Sequence, residues 1–194
     1  LLAIRQTMPY TGSGTDTISI IIAAVLLPMA FGYFYGGRFY ATASQSGKPP
    51  SIRQKLIRNI IISMLILVPG LSHVFIDSFF HTLLDLGMTN RVVMVSLYAA
   101  LFLVTPVFLL AQTIPLISNY FSKEVLAKIT GRILFFSTLG SFLGAVFSTL
   151  VLMAYLGVNE TAAINFILLA FLVVLLSKPS KPLIPFIMVM IAIG

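Results

Sequence analysis

From Thr17 to Tyr35 the chain carries no charged residue, and the same holds from Val92 to Ile117 and from Ile133 to Leu156. Runs of this length leave few folds open. An apolar stretch of ~20 residues matches the hydrocarbon thickness of a bilayer when it is helical. In lipid every backbone polar group must be satisfied within the protein, so a spanning segment has to be a helix or part of a closed barrel. The runs here are of helix length, whereas a barrel strand would alternate over about ten residues. Only 9% of the residues are charged, against about a quarter in an ordinary soluble domain. The expected fold is all-α: a polytopic transmembrane helical bundle forming a single domain over residues 1–194.

Five complete spans are expected, at about 17–35, 56–71, 92–117, 132–156 and 161–176. The chain starts with Leu1-Leu2-Ala3-Ile4 and no Met, and it stops at Ile191-Ala192-Ile193-Gly194 inside an apolar run. Both ends are therefore expected to be truncated. Residues 1–4 read as the stub of an upstream span and 183–194 as the start of another, giving six to seven membrane segments. Residues 5–17 read as a short polar connection, with Asp16 or Thr17 capping the next helix. Breaks are expected at Gly47-Lys48-Pro49-Pro50, at 118–130 and at Ser177-Lys178-Pro179-Ser180-Lys181-Pro182. Pro28 should kink or tighten the first complete span.

The charge distribution orients the bundle. By simple alternation, loops 38–58, 118–132 and 178–181 share one side, and they hold ten of the twelve Lys and Arg residues. Arg5 and Arg91 fall on the other side. The positive-inside rule assigns the three basic loops to the cytoplasm, and a bacterial inner membrane is the expected location. Topology and contact with anionic headgroups account for the net charge of +7, which removes nucleic acid as a partner.

Two constellations stand out. Ser137, Gly140, Ser141, Gly144 and Ser148 recur at spacings of three and four along the fourth span, a small-residue face that permits close helix approach. The leading reading is a packing face that neighbouring helices press against; the alternative is a moving or substrate-lining helix. His73, Asp77, His81 and Asp85 repeat at intervals of four within an amphipathic segment at 72–90. Here the leading reading is the wet face of an interfacial helix, or an extension of the second span. Divalent metal binding through His73, Asp77 and His81, or a proton-linked contact, is the alternative. Within the spans themselves ionisable groups are scarce, which disfavours ion-coupled transport. Gln112 and Asn165 are polar exceptions, expected to bond between helices. No nucleophile and base lie in a pattern that suggests catalysis, and the absence of cysteine leaves no thiol chemistry.

Several motifs then line up in order: Arg5-x-x-x-Pro9-Tyr10-x-Gly12-Ser13, Gly32-Tyr33-Phe34-Tyr35-Gly36-Gly37-Arg38, Gln112-Thr113-Ile114-Pro115-Leu116-Ile117, and Gly131-Arg132 leading into Gly140 and Gly144. Across about residues 1–178 this order resembles the membrane domain of the polytopic spermidine-synthase-like proteins. The resemblance implies a helix bundle that anchors or serves a cytosolic aminopropyltransferase-like domain using decarboxylated S-adenosylmethionine. These residues contain neither that domain's glycine-rich nucleotide motif nor its acidic substrate residues, so no cofactor or catalytic residue is carried over to this segment. Gly36-Gly37-Arg38 also resembles the short cytoplasmic loop between the second and third helices of major facilitator transporters. Tyr40, Ala41 and Thr42 stand where that loop normally carries an acidic residue. A half-transporter for a small solute, or a structural subunit associating with other membrane subunits or a second copy, are the competing functions.

Overall fold

A computed structural model describes residues 2–45, 52–121 and 126–176. The expected break at Gly47–Pro50, the charged pair Lys123 and Glu124, the turn at 178–181 and the run 183–194 lie outside the described residues. Every regular element among the described residues is a helix, and five helical segments are long and apolar enough to cross a membrane.

The first helix, α1 (Leu2–Thr11), corrects the expectation of a polar connection over 5–17. Within it the Thr7 and Thr11 hydroxyls donate to the carbonyls of Ala3 and Thr7, at 2.9 Å each, and so are satisfied inside the helix. Gly12 ends it at φ 76°, a conformation that a side chain would oppose. Next, α2 runs from Thr15 to Gln45 with Asp16 in its first turn, where a carboxylate favours the helix dipole. It passes through Pro28 unbroken and well beyond Tyr35. The helix α3 (Ile52–Leu71) then returns the chain. A break at Ser72 separates it from α4 (His73–Asp85), so the amphipathic segment is a helix of its own and not a continuation of the second span.

The third span contains three helices: α5 (Arg91–Ala99), α6 (Thr105–Ala111) and α7 (Thr113–Phe121). Asn90 caps α5 through its side-chain oxygen, which accepts from Val92 N–H at 3.0 Å. A π-helical turn over Ala100–Val104 precedes Pro106; the wider turn makes room for a ring that would collide with the preceding carbonyl of a regular helix. Gln112 marks a second discontinuity, three residues before Pro115, which cannot donate back to Ala111. The expected loop at 118–130 is shorter than its polarity suggested, since α7 reaches Phe121 and α8 (Leu126–Phe147) has begun by Leu126. A π-turn at Ser148–Leu152 and the short α9 (Met153–Tyr155) complete the fourth span. Gly157, at φ 88°, turns the chain into α10 (Val158–Leu176).

The helices alternate in direction as the charge pattern requires. Gln6 of α1 meets both Leu71 at the end of α3 and Asn159 at the start of α10, so these termini share one end. Arg53 at the start of α3 donates to the carbonyl of Leu176 at the close of α10, which places both at the other, basic end. Near the first end, Ile21, Ile76, Phe80, Met94, Val95 and Tyr98 form the largest core cluster. Ile60 and Met64 join Ala170 and Val173 between α3 and α10. The fourth span stands outside this core. Its main contacts are near its ends, with α7 and, through its π-turn, with α10, and no residue of its spanning window is buried.

Candidate functional site

The tightest meeting of spans lies between α2, α3 and the α6–α7 discontinuity. Gly32 and Gly36 are one turn apart on α2. A Cβ at Gly32 would stand 2.6 Å from the Phe108 carbonyl oxygen and 2.7 Å from Ala111 Cβ; one at Gly36 would stand 2.6 Å from Pro115 Cγ and 3.1 Å from Gln112 Cα. Glycine at both positions lets the backbones touch. From α3, Asn59 faces the same discontinuity and Ser63 the start of α6. Ser63 donates its hydroxyl proton to the Pro106 carbonyl at 3.2 Å. The Asn59 amide donates to the Leu109 carbonyl and to Gln112 Oε1, each at 3.3 Å. All three polar side chains are buried, Asn59 to 2% exposure and Ser63 to 0%. A buried amide without a partner is costly, so these contacts also specify how α3 sits on α6.

Three of the motif residues meet in this seam. Gly36 touches Gln112 and Pro115, though the two motifs are far apart in sequence. Gly37 faces open space. Arg38 lies over the Phe34 ring with its guanidinium carbon 5.4 Å from the centroid. Thr113 lines an apolar cavity of about 340 Å³ between α3, α7 and α10. Gln112 bonds between helices as expected. Asn165 differs, because its amide donates to Thr161 O in its own helix at 2.9 Å. Asn59 and Ser63 were not singled out in the sequence; their i, i+4 spacing within an apolar span was the available signal.

A second polar group lies at the opposite end. The Tyr10 hydroxyl donates to Asp77 Oδ1 at 2.7 Å, and His81 Nε2 lies 3.3 Å from the same oxygen. Tyr10 stacks on Phe80 with ring centroids 4.8 Å apart, which fixes α1 against α4. Partial burial, then the hydrogen bond to Asp77 and its charge, push the Tyr10 hydroxyl from 10.0 up to about 12. His73 and Asp85 are exposed. Among the described residues no three His, Asp or Glu side chains converge to hold a metal ion; Asp77 engages Tyr10 and His81.

The small-residue face of the fourth span does not play the part expected of it within the described chain. Gly140, Ser141 and Gly144 are exposed, and Ser137 and Ser148 half-buried. A Cβ at Gly131, Gly140 or Gly144 would meet nothing within 4 Å. The physical reason is that α8 diverges from the core, leaving an apolar groove of about 300 Å³ where Gly144 and Ser148 face Ala3, Leu71 and Leu103. Close approach is made instead at Gly32 and Gly36, which share the G-x-x-x-G spacing, and at Gly70, where a Cβ would stand 2.7 Å from Phe102 Cβ.

Compared with protein-family models, curated proteins and solved structures, the chain has no match.

Proposed function

We propose that the chain is a polytopic, membrane-embedded anchoring and assembly domain, with the bilayer as its solvent and its basic loops in the cytoplasm. The observation that carries this reading is the chemistry of its interior. The buried polar side chains among the described residues are Thr, Ser, Asn and Gln, and no Asp, Glu, Lys, Arg or His is buried with them. A path for ions or polyamines through a bundle ordinarily requires ionisable groups facing inward; neutral amides and hydroxyls bonded between helices serve packing instead. Within this reading, the specific role is that of the membrane part of a spermidine-synthase-like protein. Its basic end would face an aminopropyltransferase-like domain, the place where decarboxylated S-adenosylmethionine would act. The meeting of Gly36 with Gln112 and Pro115 supports this, since two of the motifs that carry the resemblance touch in the fold.

The intact mass of the protein from native membranes is the test. A species larger by a soluble domain that transfers aminopropyl groups is expected, and a native chain without such a domain or binding partner would refute the specific role. The exposed face of α8 is expected to meet a partner membrane helix. Gly140→Leu and Gly144→Leu should therefore leave the melting temperature of the isolated chain unchanged while abolishing crosslinking to other membrane subunits or a second copy. Unaltered crosslinking would count against that face. The π-turns at Ala100–Val104 and Ser148–Leu152 favour a second reading, a half-transporter with deformable spans. Saturable solute uptake by proteoliposomes containing this chain alone would establish it over anchoring.

A further inference from the structure

We propose that the apolar cavity at the basic end of the bundle is a binding site for one anionic phospholipid, with an acyl chain between α3, α7 and α10 and the phosphate at Arg53. This rests on the membrane-embedded reading. The cavity, about 340 Å³, is walled by Ile52, Leu56 and Ile60 of α3, Ile117 of α7, and Leu172 and Leu176 of α10. That volume lies within the ~300–1,000 Å³ of ordinary ligand pockets, and its walls are almost entirely hydrocarbon. Arg53 stands at the rim, exposed, beside the first turn of α3.

The charge at this rim selects the headgroup. A guanidinium offers five N–H donors. The Nε donor goes to the Leu176 carbonyl, which ties the side chain to the closing turn of α10 and holds the group over the cavity mouth. Guanidinium forks suit phosphate oxygens. Lys55 and Arg58 follow on the same helix. Basic pockets between membrane helices on the cytoplasmic side are the arrangement that holds anionic headgroups. A neutral zwitterionic lipid would match the apolar walls but carry a cation toward Arg53. An anionic diacyl lipid matches both features.

The test uses the full chain purified in a nonionic detergent and titrated with short-chain phosphatidylglycerol or with phosphatidylcholine of the same acyl length, the readout being the melting temperature by circular dichroism. Phosphatidylglycerol should raise it saturably and phosphatidylcholine should not. Arg53→Gln should weaken the half-saturating concentration roughly tenfold or more, whereas Arg58→Gln, which removes the same charge away from the cavity, should keep it. Leu172→Trp, filling the cavity from a position 43% exposed, should abolish saturation without altering charge. Equal responses to the two lipids, or equal losses in Arg53→Gln and Arg58→Gln, would overturn the site. So would an equal rise with glycerol phosphate alone, which would mean a free-anion site. Resistance of the wild type and Arg53→Gln to alkaline carbonate extraction reports membrane embedding separately, so loss of the lipid preference with extraction unchanged refutes this site alone.

Discussion

Replacing Gly32 by alanine adds one methyl group where two helices already touch. Its Cβ would fall 2.6 Å from the Phe108 carbonyl oxygen, whereas ordinary contact begins at 3.4 Å, so α2 must retreat by about 0.8 Å. The obstruction cannot rotate away, because Phe108 O is backbone within α6 and the next obstacle, Ala111 Cβ, lies at 2.7 Å. Overpacking of this kind costs ~1–3 kcal/mol. Alanine recovers ~1 kcal/mol of helix propensity over glycine, leaving a net loss of ~0–2 kcal/mol, or a melting temperature lower by at most ~8 °C for a chain of this size; against Gly37→Ala the difference is the full ~1–3 kcal/mol. Gly37→Ala is the control: it gains the same propensity and meets nothing within 4 Å, so it should be neutral or slightly stabilising. Circular dichroism melts of both variants in one detergent provide the comparison. If Gly32→Ala melts as high as Gly37→Ala, α2 does not approach α6 at backbone distance and the seam as described is wrong.

Two further outcomes follow from the polar contacts. Asn59→Leu and Gln112→Leu should each destabilise by ~1–3 kcal/mol by leaving a buried amide without its partner, while the double variant should lose less than the sum, by ~0.6 kcal/mol or more. Additive losses in detergent unfolding would mean that the two amides do not interact. For Tyr10, the folded pKa lies above the free value, so its contact with Asp77 contributes fully below about pH 10 and is lost as pH rises through about 12. The ultraviolet titration difference between wild type and Tyr10→Phe should show a phenolate forming near 12, and Asp77→Asn should bring it only part of the way down, since burial is the larger cause; an unchanged value in Asp77→Asn would remove the contact.

Much of the fold was legible because lipid-length apolar runs have few alternatives. The spans at 17–35, 92–117 and 161–176 correspond to helices Thr15–Gln45, Arg91–Phe121 with its internal breaks, and Val158–Leu176. What exceeded expectation is the helix beyond the apolar stretch. Polarity marks where an apolar run ends, but a helix continues past it as long as its backbone bonds persist, so α1 and the extensions of α2 and α7 were read as loops. The candidate site was legible in its residues and not in their partners. Gly36, Gln112 and Pro115 were visible as motif positions, yet nothing in a linear pattern says that one turn of α2 rests on the break before α7. The G-x-x-x-G spacing occurs twice, at Gly32–Gly36 and Gly140–Gly144, and spacing alone gives both the same weight. The discriminating feature is the opposing surface: Pro115 and Gln112 lie against Gly36, whereas a Cβ at Gly140 or Gly144 has no neighbour within 4 Å.

The two faces left by this packing point in different directions. Gly32, Gly36, Asn59, Ser63 and Gln112 are consumed by contacts within the chain, so the seam has few groups left for a solute. The surfaces with unused chemistry are the basic rim around Arg53 and the small-residue face of α8. The first is charged above an apolar cavity, which suits an anionic amphiphile. The second is neutral and, at Gly140 and Gly144, free of side-chain obstruction, which suits the backbone of another helix. Substitution at one should therefore leave the readout of the other unchanged: Arg53→Gln should retain crosslinking through α8, and Gly144→Leu should retain the phosphatidylglycerol response. A variant that lost both would indicate that lipid at the basic end sets the position of α8, coupling assembly to the membrane's anionic content.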